Sequence, residues 1–403
     1  MKSRAFLPYG RQSLDQTDIQ AVTNVLHSEF LTTGPVIEAF ESYLASTVDA
    51  SHAVSCSSGT AALHLAVMAL SIGKGDVVIV PSITFVATAN VVRLQGAEVL
   101  LCDVDPITGL VTPETLERAI GQAGTKLKAV MLVALNGQAK DFDLMIPMVQ
   151  QAGGRVIIDG CHAIGGSLAG ENGPHLIGSD REGVLTCFSF HPVKSIAMGE
   201  GGAVTTNDAD TAEKMRSLRH HGIVRDGFTG SLKNDYDAPW YHEFHQPAYN
   251  YRASDIHCAL GLSQLKKLPA FIKKRSQLVG RYQENLRHQH ITLVADHAAG
   301  RPAWHLMVAH FNWDALGVSR KQLVTALKDK NIGTQVHYIP LHRQPVFEMV
   351  PFAGAVERND STHDHASGAD QYYLSVLSLP LYAAMTNDDV DYVCNSLKEL
   401  LSI

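Results

Sequence analysis

The stretch Gly183–Thr206, GVLTCFSFHPVKSIAMGEGGAVTT, decides how the chain is read. Its ends, Val184–Phe190 and Gly202–Thr206, have the composition of short strands. Between them Lys194 sits in a tight connection, with Pro192 behind it and Gly199, Gly201 and Gly202 ahead. A surface lysine ordinarily lies among other charges. This one is flanked by Phe188, Phe190, Pro192, Val193 and Ile196, and desolvation there lowers the pKa of an amine. A neutral amine in such a place can form a Schiff base with a carbonyl, whereas a lysine that merely snorkels past apolar neighbours to water cannot be told from it by this stretch alone.

Working outward on both sides, short apolar runs alternate with helix-length segments. His52–Ser55, Val77–Val80, Ala97–Cys102, Ala129–Ala134, Val156–Asp159, Val184–Phe190 and Ala203–Thr205 read as strands, separated by segments such as Thr60–Leu70, Pro113–Ile120 and Leu144–Ala152. That alternation predicts an α/β domain with a mostly parallel sheet and helices on both faces. Ahead of it, Leu14, Ile19, Val22, Val25 and Leu26 recur at helical spacing. A second helix opens at Gly34-Pro35, with proline in its favoured first position. Beyond Ser254 come the helical segments Asp255–Leu268 and Phe271–Leu286, a strand Trp304–Phe311, a helix Ser319–Lys330, a strand Thr334–His337 and a terminal helix Asn387–Leu401 capped by Thr386. The thinning alternation predicts a division at about residue 262: a large α/β domain over 1–261 and a smaller α+β domain over 262–403, with 353–370 as a polar surface loop.

Composition narrows the function. The chain has 403 residues, 45% of them hydrophobic and 18% charged, with a net charge of −7 and no like-charge run longer than Lys273-Lys274-Arg275. Neither a nucleic-acid groove nor a basic membrane patch is indicated, so the expected partners are small molecules. The first residues, MKSRAFLPYGRQSLDQ, have no apolar core of signal-peptide length, and the apolar run Val77–Val92 is broken by Pro81, Ser82, Thr84, Thr88 and Asn90. The six cysteines are scattered, with no CxxC pair, as in reduced cytoplasmic proteins. His220-His221, His242 with His245, and His363 with His365 match no metal-ligand framework, so no metal is expected. No GxGxxG follows the first strand, which argues against a dinucleotide-dependent enzyme.

In open α/β sheets ligands gather at the carboxyl ends of the strands, and the candidate residues lie there. Ser57-Ser58-Gly59-Thr60 follows a strand and opens a helix: backbone N–H groups, hydroxyls and a glycine make an anion cup, although Ser58 or Thr60 also suits a plain helix cap. Asp159 ends a strand behind three apolar residues, where a carboxylate needs a cation or strong donors; a protonated pyridine nitrogen is one such cation. The alternative is a strand-end carboxylate capping the turn Gly160–Ala163. His162 can contact a ring or its phenolic oxygen, Phe85 can stack on a planar ring, and Ser189 can add a hydroxyl to the phosphate cup.

Taken together, these residues carry a resemblance. The chain resembles the sugar aminotransferases of the fold-type I pyridoxal-phosphate enzymes, from Leu31-Thr-Thr-Gly-Pro35 through Ser57-Ser-Gly-Thr-Ala-Ala-Leu63, Asp159–His162, Phe188-Ser-Phe-His-Pro-Val-Lys194 and Glu200-Gly-Gly202 to Tyr249-Asn-Tyr-Arg252, Val336-His-Tyr-Ile-Pro340 and Ser378-Leu-Pro-Leu381. The resemblance implies pyridoxal 5'-phosphate as cofactor and Lys194 as the Schiff-base lysine and proton shuttle. By the same resemblance Asp159 pairs with the pyridinium, Ser58, Gly59, Thr60 and Ser189 contact the phosphate, and Phe85 and His162 touch the ring. It further implies a homodimer with a shared active site, Asn250 reaching the neighbouring subunit's cofactor phosphate, and Thr33, His337 and Tyr338 lying near a nucleotide sugar.

Pro239-Trp-Tyr241, Asp255-Ile256 and Cys258–Leu268 are similar to the subgroup of the pseudaminic-acid pathway. That subgroup moves an amino group from L-glutamate to C4 of a UDP-linked 2-acetamido-2,6-dideoxy-4-keto sugar. Asn136-Gly-Gln-Ala-Lys-Asp141, Gly160-Cys161, Ala253-Ser254 and His257 depart from the usual family pattern, and these departures touch the sugar contacts. A dehydratase branch carries histidine in place of the lysine, and Lys194 argues against it. The other readings are a transaminase for a different nucleotide-linked keto-sugar, of perosamine or 3-amino type, and a non-catalytic pyridoxal-phosphate-binding regulator. Arg225, Arg252 and Arg343 are the candidates for the amino donor's carboxylate.

Overall fold

The computed structural model describes residues 4–169, 173–179, 182–295, 300–353 and 367–403. Its centre is an eight-stranded sheet in the spatial order His52–Cys56, Gly202–Thr206, Val184–Ser189, Arg155–Asp159, Leu127–Val133, Val77–Pro81, Glu98–Cys102 and Phe352–Ala353. Every pairing is parallel except the two made by Gly202–Thr206, which runs antiparallel to both of its neighbours. The central strands are buried along nearly their whole length and read as continuous Val/Ile/Leu runs because helices cover both faces. One core packs Phe40, Leu44, Ile79, Leu132, Phe142, Ile158 and Phe188; the other, across the sheet, packs Leu65, Val80, Met131, Ile157 and Cys187.

The helices begin where the sequence supplies caps. Asp15 accepts from the backbone of Thr17 and Asp18 at the head of Gln16–Leu26. Pro35 opens Pro35–Val48, Thr112 caps Pro113–Ala123 and Thr386 caps Asn387–Leu401. A three-stranded antiparallel sheet, Ile291–Leu293, Met307–Phe311 and Val376–Leu379, forms a further core with Tyr282, Leu327, Val390, Val393 and Leu397.

Position 262 lies inside the helix Asp255–Leu265, and Phe352–Ala353 returns to the edge of the large sheet, so the later chain is interleaved with the earlier part. The helices expected over Asp255–Leu268 and Phe271–Leu286 run from Asp255 to Leu265 and from Leu268 to Asn285.

Three expectations are corrected. Thr334–His337 is not a strand: Gln335 alone bridges Ser378, and the Val336 N–H is taken at 2.9 Å by the Gln335 side chain rather than by a ladder. The strand expected over Trp304–Phe311 starts at Met307, because the N–H of Leu306 goes to the Asn136 Oδ1 at 2.6 Å. Within 353–370, Ala353 is paired in the large sheet and Gly368 already opens a helix, while 354–366, with His363 and His365, lies outside the described residues.

The antiparallel strand makes room for the site by having no side chain at its start. A Cβ on Gly202 would stand 2.3 Å from the Ser58 carbonyl oxygen and 2.8 Å from the Gly59 nitrogen, closer than any backbone tolerates. Gly202→Ala is therefore expected to destabilise the protein by about 1–3 kcal/mol and to weaken anion binding at the helix head beside it. Urea unfolding and a phosphate titration check both, and unchanged values would contradict the packing.

Candidate active site

The Lys194 loop leaves the large sheet at Ser189 and re-enters it at Gly202. Phe190 N–H donates to the Gly201 carbonyl at 2.9 Å and Met198 N–H to the Phe190 carbonyl at 2.8 Å, closing the loop at its base. Phe190, Ile196 and Met198 turn into the core, while Lys194 N–H bonds back to the His191 carbonyl at 2.8 Å and its side chain turns into a cavity. Gly199 supplies the left-handed backbone, φ +80°, that turns the chain home. Burial lowers the Lys194 pKa, against a smaller opposing pull from Cys161 and Asp159.

That cavity has a volume of about 660 Å³ and lies at the carboxyl ends of the parallel strands. Ser58, Gly59 and Thr60 border it at the head of the helix Gly59–Ala69, Ser189 at the end of its strand, and Asp159 at its floor. Ser58 does both jobs weighed from the sequence: its Oγ caps the helix by accepting the Ala61 N–H at 3.1 Å, and it lines the cavity. A Cβ on Gly59 would meet the Ser189 Cβ at 2.6 Å, so the glycine lets helix head and strand end share one cradle.

Asp159 is 5% exposed and, among the described residues, pairs with no cation. Its oxygens accept from the Thr88 hydroxyl at 2.8 Å and the Cys161 N–H at 3.2 Å; Thr84 Oγ1 lies 2.8 Å behind Thr88. A carboxylate held by neutral donors and facing a cavity is set to receive a cationic ligand group.

His162 is buried, and its Nδ1 accepts the Asn136 N–H at 3.3 Å. That bond fixes the neutral ring with its proton on Nε2, which donates to the Tyr338 hydroxyl at 3.3 Å. Burial, with Lys194 and His337 nearby, holds His162 well below the usual histidine range. Burial also pushes His337 down to about 3, with Lys194 adding to the shift, while its Nδ1 contacts the Ser378 hydroxyl at 2.9 Å. Tyr338 lines the cavity with its phenol pushed well up by burial, and the exposed ring of Phe85 faces it with centroids 6.1 Å apart.

The cavity thus gathers Ser58, Gly59, Thr60, Phe85, Asp159, His162, Ser189, Lys194, His337 and Tyr338. It does not gather Thr33 or Asn250. Thr33 lines a separate groove with Arg216, Arg219, His220 and Arg252, and Asn250 pairs with His220 at its edge. None of Arg225, Arg252 and Arg343 borders the cavity, and Arg343 is held by both oxygens of Asp370 at 2.8 Å.

Sequence reasoning missed Thr88, which orients Asp159, although the four-residue spacing of Thr84 and Thr88 was a usable helical signal. It also missed Tyr9, which reaches the cavity from the N-terminal segment, and His305, whose ring lies 4.3 Å from that of His162. No local pattern marks either. Among the described residues no cluster of His, Cys, Asp or Glu is arranged to hold a metal ion, and no helix is long and apolar enough to cross a membrane.

An anion cradle, an uncompensated carboxylate and a lysine of lowered pKa around one cavity fit pyridoxal phosphate, which has a phosphate, a basic ring nitrogen and an aldehyde. The DegT/DnrJ/EryC1/StrS aminotransferase family matches residues 12–398. The chain is 38% identical over 403 residues to the spore coat polysaccharide biosynthesis protein SpsC of Bacillus subtilis, covering 99% of this chain and 98% of that one. Among solved structures, Spr1654 of Streptococcus pneumoniae in its PLP-form is 25% identical with a TM-score of 0.84, covering 98% of this chain and 99% of that one; a PMP-form of the same protein matches equally, at 0.84. PseC of Helicobacter pylori, an aminotransferase involved in pseudaminic-acid biosynthesis, is 25% identical with a TM-score of 0.83, covering 98% of this chain and 99% of that one. With the fold, the cavity and these matches in agreement, the chain belongs to the DegT/DnrJ/EryC1/StrS family and is a fold-type I, pyridoxal-phosphate-dependent nucleotide-sugar aminotransferase.

Proposed function

We propose that the enzyme moves the amino group of L-glutamate to the C4 keto group of a UDP-linked 2-acetamido-2,6-dideoxy-hexos-4-ulose, giving UDP-4-amino-4,6-dideoxy-N-acetyl-altrosamine. The observation that carries the reading is the uncompensated Asp159 carboxylate facing the same cavity as Lys194. Pyridoxal phosphate held there would supply an electron sink and a carrier for the amino group. Asp159 keeps a ring nitrogen protonated, and Ser58, Gly59, Thr60 and Ser189 hold the phosphate. Phe85 and His162, which both line the cavity, would contact the ring. Lys194 Nζ, lowered in pKa by burial, takes a proton from the amino donor's α-carbon and returns one to the opposite side of the exchange.

His337 and Tyr338 face the sugar. Thr33 and Asn250, lying outside their own chain's cavity, act at the neighbouring subunit's site in a homodimer. We also take the chain from about residue 262 onward to act as a smaller second domain, and the enzyme to be cytoplasmic. The likeness to PseC supports the acceptor named here. The higher identity to SpsC, 38% against 25% for PseC, favours a second reading in which the acceptor is another nucleotide-linked keto-sugar.

Adding L-glutamate to the purified holoenzyme is expected to abolish the long-wavelength absorbance of cofactor bound at Lys194. Adding the UDP-linked keto-sugar then restores it, and another keto-sugar restoring it faster would move the assignment to the second reading. Lys194→Ala should retain fold and noncovalent cofactor and lose turnover about 1,000-fold or more; retained turnover would remove Lys194 from the chemistry.

A stability prediction follows from the same lysine. Its pKa in the folded chain lies below the ordinary 10.5. Below the folded pKa both folded and unfolded chains carry the ammonium, and the folded state bears its desolvation; that cost fades as pH rises through the folded pKa towards the unfolded one. Lys194→Met should therefore melt higher than the wild-type apoprotein at pH 7, with a gap that narrows towards pH 10. Equal melting temperatures at pH 7 would contradict the burial cost.

A further inference from the structure

Behind the cavity, away from Lys194, three side chains form a line that the chemistry above does not use. Ser82, fully buried just after the strand Val77–Pro81, has its Oγ 2.7 Å from His342 Nδ1. His342 Nε2 lies 3.2 Å from Asp370 Oδ1, and its ring stacks on Phe352 with centroids 4.5 Å apart. Asp370 is anchored in turn by the two Arg343 nitrogens, each at 2.8 Å, and by the Ser367 hydroxyl at 2.9 Å, and these contacts hold its carboxyl well below the usual range despite burial. The helix that carries Asp370 is fixed to the large sheet by Asp103, which accepts from Gly368 and Ala369 N–H at 3.0 and 2.9 Å.

The order serine, histidine, aspartate is that of a hydrolytic triad, but Ser82 borders none of the cavities described above and no substrate reaches it. What the line does is join two walls. Ser82 lies two residues before Thr84 and three before Phe85, both on one side of the cavity, and Thr84 continues through Thr88 to Asp159. His342 follows Tyr338, Ile339 and Leu341, a second segment of the lining whose Tyr338 ring neighbours Phe85, and the Leu341 N–H donates to the Ser82 carbonyl at 2.8 Å.

We propose that Ser82, His342 and Asp370 are positioning residues that fix the gap between the Phe85 wall and the Tyr338–Leu341 wall, and so set the fit of the sugar acceptor. The inference rests on the assignment of Tyr338 to the sugar side. The segment over 336–344 has no strand ladder of its own, so its place depends on single contacts: the Ser82–His342 bond, the Leu341 N–H bond, the Arg343–Asp370 pair and the contacts of His337 and Tyr338. Ser82 Oγ is the partner of His342 Nδ1 and Asp370 Oδ1 that of Nε2, so removing the hydroxyl leaves a buried ring nitrogen without its partner.

The test uses the holoenzyme with Ser82→Ala and Ser82→Thr. In Ser82→Ala, amide exchange over 338–344 is expected to quicken more than exchange elsewhere, while the melting temperature falls by only about 1–4 °C. The KM for the keto-sugar should rise about fivefold to tenfold, with kcat and the glutamate half-reaction within about twofold. Ser82→Thr, which keeps the hydroxyl, should restore both readouts. Unchanged exchange over 338–344, or a loss shared equally by both substrates and the melting temperature, would overturn the proposal. A wild-type enzyme inactive on the named keto-sugar would instead overturn the acceptor assignment, while the exchange measurement still decides the clamp.

Discussion

Three backbone segments meet at a spot where no side chain fits. The antiparallel strand starts at Gly202 against the Ser58 carbonyl and the Gly59 nitrogen, and Gly59 lies against Ser189. This contact lets the helix head, the end of Val184–Ser189 and the Lys194 loop face one point, because each needs the others within backbone distance. A helix head is a ready anion site only when something holds a ligand over it. Here that is done by the two ends of the lysine loop, whose closure between Phe190 and Gly201 depends on the same run of glycines.

The site is electrostatically lopsided. Burial lowers Lys194, His162 and His337 alike; Lys194 adds to the shift of both histidines and His337 to that of His162, while Asp159 and Cys161 pull Lys194 the other way. Asp159, sheltered by Thr88 and Cys161, is the carboxylate beneath them. The lowered pKa makes Lys194 easier to deprotonate than a solvated lysine, which suits it to move protons, while the two buried imidazoles stay neutral and serve as hydrogen-bonding groups. The Asp159 carboxylate is the counterpart: held by neutral donors and, among the described residues, with no salt bridge, it can take a cationic ligand group as its close partner.

Around that centre the walls are set by contacts distant in sequence. The Ser82–His342–Asp370 line ties the strand end before Phe85 to the segment carrying Tyr338, and Asn136, through its backbone N–H and its side chain, links His162 to the start of Met307–Phe311. These links place the wall that carries Tyr338 and the His162 ring beside it, and one of them runs through Asn136.

The α/β alternation, the helix caps at Ser58 and Thr386, the helix start at Pro35, the strand-end position of Asp159 and the presentation of Lys194 were legible from sequence, because each rests on residues a few positions apart: period, cap chemistry and glycine-bounded turns act locally. The false strand at Thr334–His337 shows the limit. There the Gln335 side chain takes the backbone donor that a ladder needs, and only the folded chain decides such competition. The partners of Asp159 and His162, the exclusion of the arginines from the cavity and the separation of Thr33 and Asn250 from it were likewise decided by tertiary structure. Those contacts join segments separated by tens to hundreds of residues, and a spacing in the sequence carries no information about which distant segment will arrive.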